Sequence, residues 1–420
     1  MRSNWICAQL GAREHYAVPR ALHRAGRLDT LYTDYWAGSV VRKMGPASRA
    51  LRSMAGRYHP ELASASVKSW NARALTWTAR VRSSAGSSDG QSLYSNFIEV
   101  GKRFAGAVRS GLSRRSDLSA ETVFFAYDTG ALETLQWLRA RGVRCVLDQM
   151  DPGRVEVSLV REEESRWPGW ALRATDVPEE YFQRREQEWA LADQVVVNSE
   201  FSRRALIRQG VTAEKLVVIP LCYEAEAENA ELEANNGSLD PRSGSHRAKL
   251  RVLYLGQVIL RKGIQYLIEA ARLLETEPVQ FDVVGTVGIS ENAVKLAPAN
   301  TRFHGPISRA QVGCWYARSD VFALPTLSDG FAITQIEAMA HGRPVIATPN
   351  CGQVVADGKD GFIVPPGDAN ALAKAIVAYV VEPGLLQAHR AAALEKVKQF
   401  SLARLTENLV ALERSLVGAS

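Results

Sequence analysis

The chain has 420 residues, 46% hydrophobic and 23% charged, which excludes a disordered polymer and leaves room for two domains with separate cores. Its five cysteines (Cys7, Cys145, Cys222, Cys314, Cys351) are scattered, which excludes a paired zinc spacing and a disulfide framework. No uncharged apolar run reaches the length of a membrane span, residues 1–20 carry no basic-then-apolar leader, and a cytoplasmic location is expected.

In the first half, short apolar runs predict strands at 5–8, 123–127, 144–147, 194–197 and 216–219. Helical periodicity falls between them at 131–141, 178–192 and 202–209. From Trp36 to Ala120 there are 14 Lys/Arg against 4 Asp/Glu, a local excess of 14 − 4 = +10 in a chain of net charge +6. Trp70 and Trp77 are interleaved there with Arg73, Arg80 and Arg82, a pattern suited to an anionic membrane surface. The alternative is a solvated basic insertion at about 36–120, and nucleic acid is not an expected partner. Residues 223–249, with Glu224, Glu226, Glu228, Glu231 and Glu233, lack periodicity and read as a solvated linker. In the second half, strands are predicted at 252–255, 281–284, 301–304, 321–324, 345–347 and 361–364. The matching helices are at 263–274, 309–317, 333–341 and 370–380.

The alternation predicts an α/β chain of two doubly wound, Rossmann-like parallel-sheet domains, 1–222 and 250–399, facing across a cleft. The amphipathic helix at about 400–420 is expected to pack back on the first domain. Ligands in such folds collect at the carboxyl ends of strands. Two segments there carry chemistry. The first, Ser328 to Pro344, places Asp329 before a glycine turn and Glu337 eight positions on. A helix opening at Phe331 would present its N–H groups to an anion. The two carboxylates suit hydroxyls rather than phosphate, which points to a sugar nucleotide; Asp329 as a simple N-cap is the bland alternative. The second, Leu255 to Gly263, offers Gly256 for close backbone approach and Lys262, with Arg261, as cations for phosphate.

Together these segments resemble the nucleotide-sugar half of the GT-B glycosyltransferases, and family 4, the retaining enzymes, in particular. The acidic pair Asp329 and Glu337, the run "EAMAHGRPVIAT" and the Gly256 to Lys262–Gly263 element carry the resemblance, which extends over about 178–382. It implies that Lys262 holds the donor diphosphate, Glu337 accepts the ribose hydroxyls and Asp329 contacts the transferred sugar. Backbone N–H groups of Gly330, Phe331 and Ala332 would bind sugar or diphosphate, and Gly256, Gln257 and Arg261 would line the donor. The sequence departs from the family pattern at Asp329, where Glu is usual, at Gln257, where Arg is frequent, and at Ala332, where Gly is frequent. No cofactor is implied: the nucleotide-diphosphate sugar is the donor substrate, and lysine plus a helix terminus can act without a metal.

The acceptor, lipid-linked or polysaccharide, would meet the first domain. Arg13 and His15 are candidates to face it, with His15 equally readable as a surface residue. Asp151 reads as an acceptor contact or a turn residue, and Tyr127 and Asp128 share that ambiguity. Two other functions remain open from sequence: a nucleotide-sugar-binding protein with little transferase activity, and a glycoside hydrolase using Asp329 and Glu337.

Overall fold

The computed structural model describes residues 4–45, 49–77, 90–224 and 249–418. Apolar runs form the strands of two parallel sheets. The first sheet comprises β1 (Asn4–Gln9), β2 (Leu28–Thr33), β3 (Ser66–Ser69), β4 (Thr122–Tyr127), β5 (Arg144–Gln149), β6 (Gln194–Val197) and β7 (Leu216–Val218). Its seven strands run in the order β3-β2-β1-β4-β5-β6-β7. The second comprises β8 (Leu250–Leu255), β9 (Val279–Val284), β10 (Thr301–Gly305), β11 (Val321–Leu324), β12 (Val345–Ala347) and β13 (Gly361–Ile363). Its six strands run β10-β9-β8-β11-β12-β13. All the strand pairs are parallel. The central strand β4 is buried at every position, because helices cover both faces of a doubly wound sheet.

In each sheet the strand order reverses at one place, between β1 and β4 and again between β8 and β11. Loops leaving those strands diverge to opposite faces and open a crevice at their carboxyl ends. The two reversal points position the chemistry described below.

The expected doubly wound architecture is present, with corrections in the first domain. Strands β2 and β3 were not predicted, because their polar residues (Asp29, Thr30, Ser66, Lys68) hide a short parallel strand. The segment 36–120 is not a simple insertion: it supplies β3 and the helix Gly90–Leu112, whose Phe104 and Val108 enter the core of the first domain. Arg80 and Arg82 lie outside the described residues, as do Glu226, Glu228, Glu231, Glu233 and all of 225–248.

Two segments tie the domains together. The helix Leu402–Gly418 inserts Leu405, Leu409 and Leu412 into the first domain's core beside Trp5 and Leu22. Glu413 accepts from Trp5 Nε1 at 3.3 Å and pairs with Arg27 at 2.7 Å. In the other direction, the helix Arg154–Arg166 leaves the first domain and ends on the second. Its Glu163 accepts from Gln265 at 2.9 Å and Tyr266 at 2.8 Å, and Trp170 just beyond it lies in the second domain's core. Trp170, with Trp167 and Ala171 beside it, thus packs in the second domain's core although it precedes residue 222 in the chain.

Candidate active site

The site is built where β8 and β11 lie side by side, Val252 opposite Val321. Beyond β8, Gly256 donates its N–H to Val284 at 3.0 Å, and the exposed Gln257 accepts the Tyr254 hydroxyl at its carbonyl, 2.6 Å. A short turn, Leu260–Lys262, ends at Gly263 with φ 75°. Any Cβ at Gly263 would lie 1.8 Å from the Pro325 carbonyl oxygen, so only glycine lets the two loops touch. They are then laced together: Leu327 N–H donates to Arg261 O at 2.9 Å, and Arg261 Nη1 donates to Ser328 O at 2.9 Å.

This lacing brings Lys262 against Asp329, whose Oδ2 pairs with its ammonium. The other carboxylate oxygen of Asp329 accepts from Phe331 N–H at 3.3 Å and Ala332 N–H at 3.1 Å. The capping role and the lysine contact therefore coexist in one side chain. The helix spans Thr334–Ala340, within the 333–341 predicted from periodicity, and does not open at Phe331. The shift has a physical cause. Asp329 takes the two N–H groups into a turn, and Ala332 at φ 61° breaks helical continuity.

Glu337 is buried on that helix, accepting from the Tyr316 hydroxyl at 3.2 Å, with Arg309 Nη1 at 3.7 Å. Burial pulls the Lys262 ammonium down to about 7; Arg261 adds to the shift, and Glu156 and Cys351 oppose it. The Asp329 carboxylate in contact with it works for the charged form. Phe331 is buried with its ring 5.9 Å from Phe400.

Gly330 meets the first domain directly. A Cβ there would sit 2.1 Å from Met150 O and 2.8 Å from Asn198 Nδ2. Glu156, which sequence reasoning missed, also crosses the cleft. Its Oε2 accepts from Ser328 Oγ at 3.0 Å and Arg261 at 3.3 Å, and burial raises its pKa against the pull of Arg261. Nothing in the charged run "RVEVSLVREEESR" singles it out, because only the docking of the two domains gives it partners.

On the first domain's side, Arg13 lies with its guanidinium carbon 5.2 Å from the Tyr127 ring centroid, and His15 is exposed. Asp151 accepts from Gly153 N–H at 2.8 Å, as a turn residue does, and from Arg185 at 2.6 Å. Asp128 pairs with the same Arg185 at 2.9 Å. Arg13, His15, Tyr127, Asp128 and Asp151 thus belong to the carboxyl ends of β1, β4 and β5, and Asp151 directly follows Met150, whose carbonyl Gly330 approaches.

Residues 249–381 match the family model described as glycosyl transferases group 1. The match falls within the second domain. A D-inositol 3-phosphate glycosyltransferase from Streptomyces griseus subsp. griseus is 27% identical over 214 residues, covering 47% of this chain and 45% of that protein. The chain spans about half the length of the first curated relatives it matches. Among solved structures, a sucrose-phosphate synthase from Thermosynechococcus elongatus superposes with a TM-score of 0.64 at 20% identity, covering 99% of this chain and 100% of that one. Anabaena Alr3699/HepE, solved in complex with UDP and glucose, gives 0.58 at 16% identity, covering 98% and 99%. The fold is GT-B: two Rossmann-like parallel-sheet domains whose strand ends face each other.

Proposed function

We propose that the chain is a retaining glycosyltransferase that moves a sugar from a nucleotide-diphosphate sugar to an acceptor. The observation that carries this reading is the Lys262–Asp329 contact at the β8/β11 reversal, with Glu337 buried eight residues beyond. Breaking a glycosyl–phosphate bond builds negative charge on the departing diphosphate, and a preorganised cation stabilises that charge most where water is excluded. Lys262 is that cation. The diphosphate displaces the Asp329 carboxylate from the ammonium, and Asp329 turns to the hydroxyls of the transferred sugar. Glu337 accepts the ribose hydroxyls. The retaining outcome rests on the resemblance of the Gly256–Gly263 and Asp329–Glu337 elements to retaining enzymes. Lys262 and Arg261 supply the charge, so no metal is required and turnover persists in EDTA. UDP, present in the HepE structure, is the first nucleotide to test.

The acceptor is lipid-linked and met at a membrane surface. Val40 (66% exposed), Met44 (50%) and Leu75 (53%) stand out on the basic segment beside Arg42, Lys43 and Arg73, offering apolar contact together with positive charge. Among the described residues no single helix is long and apolar enough to cross a membrane. Co-sedimentation with anionic vesicles should weaken with salt, and salt-insensitive or absent binding contradicts this placement.

The activity is tested by incubating the protein with UDP-, GDP- and ADP-sugars and measuring nucleotide diphosphate release, with product anomeric configuration read by NMR. Donor binding without release under any acceptor would instead identify a nucleotide-sugar-binding protein, and an inverted product would remove the retaining assignment.

A further inference from the structure

Each of the two cations on the turn after β8 is paired with an acid. Lys262 meets Asp329 from the loop after β11, within its own domain. Arg261 meets Glu156 at 3.3 Å, and Glu156 belongs to the helix Arg154–Arg166, which leaves the first domain. The two cations are close enough for Arg261 to help push the Lys262 ammonium toward its neutral form. Arg261 therefore joins the cationic end of the site to the other domain.

Glu156 is held in place from the first domain. Gly153, at φ 64°, precedes the helix, and a Cβ there would lie 2.6 Å from Gln209 Oε1. Gln209 accepts from Arg154 N–H at 2.9 Å and donates to the Pro152 carbonyl at 2.8 Å, which ties the first turn to the end of the helix Glu200–Arg208. From that turn the carboxylate reaches across the cleft. Its Oε2 accepts from Ser328 Oγ at 3.0 Å as well as from Arg261 Nη1. The Glu156 and Arg261 side chains are 20% and 22% exposed and Ser328 is fully buried, so water screens this pair less than it would at an open surface.

A fixed structural clasp and an exchangeable one differ in what Arg261 can still do. Its Nη1 serves both Glu156 and the Ser328 carbonyl, and among the described residues its Nε and Nη2 make no hydrogen bond. A planar guanidinium with such donors suits two phosphate oxygens at once, and a diphosphate carries more charge than a carboxylate. Glu156 for its part keeps Ser328 Oγ as a partner when the guanidinium turns away. The other charged or titratable groups that face Glu156 are Lys262, Asp151 (held by Arg185) and Tyr94 on the helix Gly90–Leu112. Among these cations Arg261 is the one that Glu156 and a diphosphate beside Lys262 can both claim.

We propose that Glu156 is a positioning residue for the transfer reaction: it holds Arg261 across the cleft, yields it to the donor diphosphate, and takes it back as the nucleotide diphosphate leaves. A residue of the first domain thereby loosens the second domain's hold on the product. The proposal rests on the donor reading of Lys262 and Arg261 and deepens it by adding an exchange between domains.

The test is a double-mutant cycle on nucleotide affinity in the full chain, using whichever of UDP, GDP and ADP binds the unaltered protein, by calorimetric titration at low salt. Glu156→Gln keeps an acceptor for Ser328 Oγ and removes the charge that competes for Arg261. It should bind the nucleotide at least fivefold more tightly. In an Arg261→Ala background the same substitution should change affinity less than twofold. Turnover gives a second reading: in Glu156→Gln the donor KM should fall and kcat should not rise, because product leaves more slowly, whereas loss of a merely structural clasp raises KM. Glu156→Ala gives the same comparison if Glu156→Gln does not fold. Unchanged or weaker affinity on removing the Glu156 charge, or an equal gain with and without Arg261, overturns the exchange. Failure of the unaltered protein to bind any of the three nucleotides would instead overturn the donor reading itself.

Discussion

At the scale of the residue, Lys262 carries the heaviest assignment. Lys262→Ala should lower nucleotide release by about 10²–10³-fold, the usual loss when one charge-stabilising group is removed, with Tm little changed. Its titration gives a second check. Burial lowers the folded pKa to about 7, so the ammonium is present below that pH and lost above it. The donor kcat/KM, which reports the free enzyme, should therefore fall as pH rises past about 7. Lys262→Arg, always charged, should flatten that alkaline fall even where its absolute rate is lower. Ala332 is a contrasting case. At φ 61° it holds a conformation that glycine adopts without strain, so Ala332→Gly should stabilise the protein by about 1 kcal/mol in thermal or denaturant unfolding.

The same residues define what could be read from the sequence. Lys262, Asp329 and Glu337 stood out because each sits at a fixed offset from a strand end and a glycine. The contact between Lys262 and Asp329 did not, because it depends on β8 and β11 being neighbours although β9 and β10 lie between them in the chain. Glu156 and the Gly330–Met150 approach were beyond reach for a related reason: both arise only when two separately folded domains dock.

At the scale of the element, apolar strands such as β4 and β11 were plain because every position is buried. The edge strand β3, exposed at three of its four positions, had no such signal. One buried acid shows how an element is fixed in ways periodicity does not reveal. Glu188, on the helix Glu179–Leu191, accepts from Thr129, Ala131 and Leu132 N–H groups at 2.6, 2.9 and 3.0 Å. It thereby caps the helix Leu132–Arg139 from a different helix, satisfying N–H groups that begin every helix. Glu188→Ala leaves those donors buried and unpaired and should cost about 3 kcal/mol or more in chemical unfolding. Glu188→Gln, which keeps one acceptor, should cost less.

At the scale of the whole molecule, the two domains meet through glycine as much as through charge. Gly330 is one point where the loop beyond β11 touches the first domain, next to the Ser328–Glu156 contact, and a methyl group there would overlap Met150 O. Gly330→Ala should hold the domains apart, visible as a larger radius of gyration in small-angle scattering. Nucleotide release should fall at least tenfold, with UDP affinity changed less than the rate, because the proposed donor grip lies within one domain while the proposed transfer uses both. An unchanged radius and rate would show that this contact does not govern closure. The helices Arg154–Arg166 and Leu402–Gly418, each anchored in the opposite domain, limit how far such opening can proceed.

In the proposed reaction Lys262, Asp329 and Glu337 form the grip on a nucleotide-diphosphate sugar. Calorimetric titration of UDP, GDP and ADP into the unaltered protein, Lys262→Ala and Glu337→Ala tests it most directly. One nucleotide should bind the unaltered protein, and each substitution should weaken that binding at least tenfold, Lys262→Ala through the diphosphate and Glu337→Ala through the ribose. Binding that both variants retain at full strength would show that these residues do not hold the donor.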